Sequence, residues 1–251
     1  MDTSFRHENM KHESNMLLKR LGQSVLFVAS LLVGLVIGIV LLGGGYWLAT
    51  ATPLGTQLQT LLGITAKAPW HFSRASGVVA YLLLSASTIW GLLLTTRFIK
   101  STVPAPLTLA MHNILGWLAI SLSIVHALAL LFDDYYIYTL SNLLVPFTGP
   151  YRPEWVGVGI IGLYIMVITA ASFSWRGWMG QLWWRRLHYL TYLAYGLVTV
   201  HGLMAGTDSG NLGMRVMFWG SALVITGMTF YRVWTATASK RAPTSLFELQ
   251  P

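Results

Sequence analysis

Six long apolar segments constrain this chain more than any other feature of its sequence. About 20 apolar residues in a helix cross a hydrocarbon core, and we place such segments at Val25–Leu48, Phe72–Thr95, Leu107–Phe132, Val156–Phe173, Leu187–Ala205 and Met214–Thr235. Charged residues make up only 10% of the chain, whereas soluble domains carry about 25%. The sequence therefore predicts an all-α integral membrane protein, a bundle of six transmembrane helices.

Basic residues predict the orientation of this bundle. Twelve of the sixteen Lys and Arg residues fall on one predicted side of the membrane, and such an excess marks the cytoplasm. This side holds Arg6, Lys11, Lys19, Arg20, Arg97, Lys100, Arg176, Arg185, Arg186, Arg232, Lys240 and Arg241, and the other holds Lys67, Arg74, Arg152 and Arg215. We expect a multi-pass cell-membrane protein with cytoplasmic tails at 1–24 and 237–251 and a transmembrane domain at 25–236.

A competing interpretation treats the first apolar segment as a secretory signal peptide, because Ala49-Thr50-Ala51 resembles a cleavage site. Signal peptides usually have an apolar core of about 7–15 residues, and this segment is longer. A retained helix is the expectation. The other five spans keep their orientation under either interpretation.

Composition narrows the chemistry available to the chain. The sequence contains no cysteine, which excludes disulfides, thiolate metal sites and Fe–S clusters ligated by this chain. Only eight Asp and Glu residues are present, so histidine is the expected metal ligand. The net charge of +8 fits cytoplasmic loops and lipid headgroups, and we expect membrane lipid rather than nucleic acid as a partner.

Two predicted spans carry a histidine near each end. His112 and His126 lie fourteen residues apart on the third span, and His188 and His201 lie thirteen apart on the fifth. Both spans are odd-numbered and run in the same direction, so His112 shares a depth with His188, and His126 with His201. Each level is about 10 Å from the bilayer midplane by helix rise.

Two matched pairs of imidazoles predict two haem sites between helices three and five. A six-coordinate b-type haem takes one axial imidazole from each side, and its macrocycle fills the apolar gap between helices. The alternative is that each histidine makes a polar interhelical contact. Burying four unpaired imidazoles would cost a few kcal/mol each, which favours haem ligation.

Helical phase fits the two spans unequally. At 100° per residue, His126 returns to about 40° from His112, on nearly the same face. His201 lies about 140° from His188 around the helix axis, so one straight helix cannot present both residues on the same face. A π-bulge, a kink near Gly196 and haem contacts on two sides of the helix all remain open.

The histidine spacings, together with SRASG at 73–77 and the apolar VVAYLLL that follows, resemble the ferric reductase-like transmembrane domain family. Its members include the membrane halves of NADPH oxidases and ferric reductases and the haem subunit of periplasmic methionine sulfoxide reductase. The resemblance covers Trp70 to Gly206. It implies two b-type haems and ferric reductase-like electron transfer toward the outer face.

The resemblance also implies a role for each histidine. His112 and His188 would bind the inner haem, and His126 and His201 the outer one. A departure from the oxidase branch occurs at Leu130, one turn beyond His126, where that branch places another histidine near its oxygen-reducing site. Superoxide production is therefore less expected here.

Three arginines complete the predicted haem-binding set. Arg74 matches an arginine that family members hold beside the outer haem, where it would neutralise a propionate; the alternative is an arginine that snorkels to the headgroups. Arg185 and Arg186 lie just before His188 and would meet the inner propionates, or act as ordinary positive-inside anchors.

The electron donor is expected to be separate from this chain. Family members that use NADPH continue into a flavin- and nicotinamide-binding domain, whereas here about fifteen residues follow Thr235, too few for such a fold. We expect a flavin reductase or a quinol as donor, with a loosely bound flavin or quinone as a further possibility. The acceptor would be an extracytoplasmic protein or small molecule, and the chain would be the b-type cytochrome of an oxidoreductase.

A second class of function is a haem-binding or haem-free membrane anchor subunit of a partner oxidoreductase. A transporter is disfavoured, because Arg74 is the only charged residue in the interior of a predicted span. Of the remaining histidines, His7 and His12 are expected in solvent and His71 at the outer interface.

Polar residues of the spans and aromatic residues of one connection have two interpretations each. Candidates for tuning haem potential are Asn113, Ser123, Thr191 and Thr199, with helix-backbone hydrogen bonds as the alternative. The outer connection from Asp133 to Trp155 is rich in tyrosine. It would either cap the outer haem and dock an acceptor or form an aromatic belt at the water interface, and we favour the belt.

Overall fold

The computed structural model describes residues 51–62, 67–95 and 104–241, with Gly44 and Trp47 as isolated positions, and these residues form no strand. The chain divides into two compact units, residues 1–65 and 66–251. In the first unit, helix α1 spans Pro53–Leu62. The Thr52 hydroxyl accepts the Gly55 N–H at its start. The predicted amino-terminal tail and most of the first predicted span lie outside the described residues.

The second unit is entirely helical in its described part. Its helices are α2 (Ala68–Thr95), α3 (Ala105–Ala129), α4 (Leu140–Leu144), α5 (Pro153–Met179), α6 (Gln181–His188), α7 (Leu190–Ala205) and α8 (Leu212–Arg241), and a 3-10 turn over Leu130–Phe132 follows α3. Among them α2, α3 with its turn, α5 and α8 are long and apolar enough to cross a membrane. These four agree with the predicted second, third, fourth and sixth spans, and the fifth predicted span is divided between α6 and α7.

Proline and glycine determine where the long helices begin and end. Pro104 precedes α3, and α5 begins at Pro153, a position where the missing N–H leaves no helix bond unmade. Gly180 follows α5 with a φ of +82°, a conformation that glycine adopts without strain, and α6 starts directly after it. At the other end of the unit, α8 continues beyond the predicted limit of its span to Arg241.

Two antiparallel helix pairs position the histidines. Helix α2 packs along α3, α5 packs along α7, and α8 lies against α2. Their shared core includes Tyr81, Ala119, Met166, Ala194 and Phe218, one residue from each of the five helices. Because this core joins all five helices, it fixes the distance across which α3 faces α6 and α7.

Large apolar side chains cover the outward faces of the spans. On α8, Val216, Leu223 and Phe230 are 62%, 76% and 68% exposed. A water-soluble domain does not leave such a continuous apolar surface in contact with water. These faces are therefore suited to lipid acyl chains, in agreement with the predicted membrane class.

Candidate functional site

The four histidines of the predicted spans meet as two pairs. The ring centroids of His112 and His188 lie 6.0 Å apart, with the ring planes at 78°. Those of His126 and His201 lie 6.1 Å apart at 74°. These are the two pairings that the shared direction of the third and fifth spans predicts.

The pair geometry fits a metal held between two imidazoles. With metal–nitrogen bonds of about 2 Å and about 1 Å from ring centre to nitrogen, two axial imidazoles place their centroids about 6 Å apart. Within the described residues, no group of three or more His, Asp or Glu side chains could hold a metal ion. The two imidazoles of each pair match in number the protein ligands taken by a metal whose other four ligands come from a flat macrocycle.

Three of the imidazoles donate Nδ1–H to a backbone carbonyl on the neighbouring helix. The bonded pairs are His112 with Ser87 at 3.0 Å, His126 with Ser73 at 2.7 Å, and His201 with Trp155 at 2.9 Å. These contacts assign the proton to Nδ1 and leave the lone pair on Nε2, which is then free to bind a metal. A ligand imidazole held through its second nitrogen is both oriented and made more basic.

Two serines return a hydrogen bond to the histidines that they orient. The Ser73 hydroxyl donates to the His126 carbonyl at 2.9 Å. The Ser87 hydroxyl donates to the His112 carbonyl at 3.3 Å. Each serine–histidine pair therefore exchanges two hydrogen bonds between α2 and α3. These bonds fix both the orientation of the ring and the register of the two helices.

A glycine one turn beyond each carbonyl lets the ring approach the helix. A Cβ built on these glycines would meet the ring atoms as follows: Gly77 to His126 Nδ1 at 2.8 Å, Gly91 to His112 Cε1 at 3.0 Å, and Gly159 to His201 Nδ1 at 2.6 Å. Real Cβ atoms rarely or never approach a ring that closely. The carbonyl of residue i and the glycine at i+4 thus form a recurring carbonyl–glycine motif, present at Ser73/Gly77, Ser87/Gly91 and Trp155/Gly159.

The sequence carries a signal for two of these motifs that the histidine spacing alone does not reveal. Ser73 and Ser87 are fourteen residues apart, and so are Gly77 and Gly91. This spacing equals that of His112 and His126 on the antiparallel partner helix. A Ser-x3-Gly repeat matched to a histidine repeat indicates two copies of one packing arrangement.

His188 is held differently from the other three histidines. Its ring stacks on Trp184, with centroids 5.2 Å apart and planes at 23°. Its Nδ1 is buried and finds no hydrogen-bond partner among the described residues, and the same is true of Trp184 Nε1. The pair of His112 and His188 (the inner pair) is therefore less symmetric in its surroundings than the pair of His126 and His201 (the outer pair).

A break directly after His188 removes the phase conflict of the fifth span. Helix α6 ends at His188 and α7 begins at Leu190. Tyr189 joins them, and its N–H bonds to the carbonyls of both Arg185 and Arg186, which tightens this turn. Residues before and after the break need not share one helical phase, and His188 and His201 each pair with a histidine of α3.

A cavity of about 200 Å³ adjoins the outer pair, whereas one water fills about 10–15 Å³ by the same measure. His126, His201, Leu130 and the predicted Arg74 all line it. Further lining residues include Trp70, Tyr81, Leu143, Met166 and Phe218. Arg74 is paired there with Asp208, a partner that the sequence pattern does not indicate.

The inner pair has basic residues nearby. Arg185 and Arg186 are exposed on α6, and the Arg186 guanidinium lies 4.9 Å from the Trp183 ring centroid. Arg232 lies on α8, and the sequence places it only among the cytoplasmic charges. Its guanidinium lies 6.0 Å from the Tyr189 ring.

The other residues considered from the sequence take ordinary structural roles. His71 is exposed on α2 and belongs to neither pair. The Ser123 and Thr199 hydroxyls donate to the carbonyls of Ala119 and Tyr195 within their own helices, and the Thr191 hydroxyl donates to the His188 carbonyl across the turn between α6 and α7. Of these, Ser123 also lines the outer cavity.

Comparison with known proteins found no matching family model, no matching curated protein and no matching solved structure. The functional interpretation therefore rests on the geometry of the two histidine pairs.

Proposed function

We propose that this chain is a membrane b-type cytochrome that holds one haem at each histidine pair and carries electrons from a cytoplasmic or quinol donor to an acceptor on the outer face. The observation that carries this proposal is the pair of 6.0 Å and 6.1 Å ring separations between helices at two levels. Fourteen residues of α3 separate these levels by about 21 Å.

The chain's own groups would hold and tune the two sites. The four Nε2 atoms would bind the irons, and the imidazoles of His112, His126 and His201 are oriented by backbone carbonyls through Nδ1. Haem iron, when bound, would supply one-electron exchange, and two histidine ligands per iron would favour electron transfer over binding of oxygen. An inside-negative potential favours outward movement of an electron by about 2.3 kcal/mol per 100 mV.

Basic side chains would neutralise haem carboxylates at each level. Arg74 lines the outer cavity, and the Arg232 guanidinium lies 6.0 Å from the ring of Tyr189, the chain neighbour of His188. Arg185 and Arg186 extend the positive charge on the inner side. The orientation with this charge in the cytoplasm is part of the proposal and rests on the positive-inside rule.

Haem content and spectra of the purified protein test the proposal. We expect two low-spin b-type haems per chain in reduced-minus-oxidised spectra. His126→Ala should leave one haem, because the outer site then keeps a single axial ligand. His71→Ala is the matched control and should leave two, since His71 is an exposed histidine of neither pair. A wild-type chain without haem would contradict the proposal and favour the anchor-subunit alternative.

Transfer across the membrane is tested in proteoliposomes. Dithionite trapped inside should reduce ferricyanide outside, with wild-type protein faster than protein-free vesicles. His126→Ala should lower this rate at least tenfold, because the outer site of the path is then incomplete. Equal rates for the two proteins would show that the outer pair does not carry the electrons.

A further inference from the structure

The connection between α3 and α5 has an uncharged segment with exposed apolar side chains. No Asp, Glu, Lys or Arg occurs between Tyr135 and Tyr151. Within this segment Leu140, Leu144, Val145 and Phe147 are 57%, 53%, 50% and 52% exposed. We call residues 140–147, which include the short helix α4, the outer apolar segment.

Internal hydrogen bonds pair several polar groups of this segment. Thr139 caps α4 by accepting the Asn142 N–H, and the Asn142 side chain accepts the Thr139 N–H in return. The Asn142 amide also donates to the Thr148 carbonyl at 2.8 Å. The Val145 N–H bonds to Ser141 at 2.8 Å. Each such bond lowers the cost of placing this backbone in an environment poor in water.

The segment is firmly seated on α5. The Tyr164 hydroxyl donates to the Leu144 carbonyl. Phe147 adopts a φ of 68°, and its ring lies against Gly157, where an added Cβ would come within 2.3 Å of the ring. The exposed apolar side chains thus project from a fixed surface.

The two sides of the segment face different surroundings. Leu143 lines the outer cavity together with Tyr138, which is buried. The neighbouring Leu144 is 53% exposed. The segment therefore lies between the outer cavity and the surroundings of the protein.

The surface continues into the lipid-facing side of α5. Tyr164, which bonds to the segment, is itself 39% exposed, and Val167 and Ile168 follow it with 37% and 53% exposure. α5 is one of the helices long and apolar enough to cross a membrane. A soluble protein bound to the segment would have to displace lipid from the adjoining part of α5, whereas lipid covers both surfaces at once.

We propose that the outer apolar segment lies in the outer leaflet of the bilayer, with Leu140, Leu144, Val145 and Phe147 against acyl chains, and forms the lateral wall between lipid and the outer cavity. This assignment rests on the apolar surface and its hydrogen bonds and does not require haem. It places the segment deeper than the interfacial aromatic belt expected from the sequence.

Site-directed spin labelling of the full-length protein tests this placement, and the natural absence of cysteine makes single labels unambiguous. Leu144→Cys and Val145→Cys report on the segment. Leu223→Cys, on the exposed face of α8, is the lipid reference. Gly210→Cys is the water reference, because Gly210 is exposed in the polar connection GTDSGN at 206–211 and an added Cβ there meets nothing within 4 Å. All four labels are measured in phosphatidylcholine nanodiscs.

The readout is the ratio of collision rates with molecular oxygen, which enters lipid, and with a water-soluble nickel chelate. We expect Leu144 and Val145 labels to have at least fivefold lower nickel accessibility than Gly210 and to approach Leu223. Nickel accessibility equal to that of Gly210 at both positions would overturn the proposal. That result would leave the segment facing water, as a surface for a soluble protein requires.

Discussion

Glycine residues determine how closely the histidine rings can approach the neighbouring helices. Gly159 shows this most clearly, because an added Cβ would lie 2.6 Å from His201 Nδ1, inside contact distance. The His201–Trp155 hydrogen bond of 2.9 Å requires this approach. A methyl group at Gly159 would therefore displace the ring rather than fill space.

The first prediction concerns Gly159→Ala. Alanine is normally favoured over glycine inside a helix by about 1 kcal/mol. The substitution should therefore impair haem binding only through the contact of the new methyl group with His201. We expect loss or weakened binding of one haem, measured by haem quantification and low-spin spectra. Gly196→Ala on α7 is the control, since nothing lies within 4 Å of its Cβ position. Two intact haems in Gly159→Ala would contradict the role given to this glycine.

At the scale of whole helices, a buried hydroxyl cluster joins α2, α7 and α8. The Tyr81 hydroxyl lies 3.0 Å from that of Tyr195 and 2.8 Å from that of Ser221. Thr199 adds a contact of 3.2 Å. Polar groups within an apolar bundle hold helices in register because their alternative partners are distant. Tyr195 lies between His188 and His201, so this cluster fixes the register of the helix that carries His201.

The second prediction tests this cluster with Tyr81→Phe. The substitution keeps the ring and removes the hydroxyl, and we expect the free energy of unfolding to fall by about 0.5–2 kcal/mol. Denaturant titration in detergent, followed by circular dichroism, measures the change. Tyr135→Phe should have no effect, because Tyr135 is 82% exposed. Equal stability of the two variants would show that the cluster adds nothing.

At the scale of the whole molecule, the outer connection completes the cavity wall. Tyr138, in the part of the connection that precedes α4, is 6% exposed and lines the cavity. Burial raises the pKa of Tyr138 to about 12, while a hydrogen bond with the Tyr151 backbone opposes the rise. The folded protein thus prefers the neutral phenol.

The third prediction follows from that pKa. An ordinary tyrosine has a pKa of about 10, so the stabilisation is fully present below pH 10 and is lost as the pH rises toward 12. The full effect of a two-unit shift is about 2–3 kcal/mol. We expect the free energy of unfolding to fall between pH 9 and pH 11.5 by more in the wild type than in Tyr138→Phe. Identical pH profiles would contradict the buried, neutral state of this phenol.

The sequence alone determined the membrane class and the composition of the histidine pairs. Runs of about 20 apolar residues have one stable environment, the hydrocarbon core of a membrane. The shared direction of the third and fifth spans determines which histidines lie at the same depth. Helix rise sets the spacing of these levels, and it does not depend on neighbouring helices. The pairing of His112 with His188 and of His126 with His201 could therefore be predicted before the fold.

Only the tertiary structure decided how each ring is held. Helical phase alone could not place the break at Tyr189, because the break depends on hydrogen bonds in the turn between α6 and α7. The carbonyl of Trp155 and the partner of Arg74, Asp208, lie far from their contacts along the chain. Such contacts arise from packing between helices, which a periodic pattern does not specify. Apolar periodicity predicts whether a helix lies in a membrane, but it does not predict which helices pack against it.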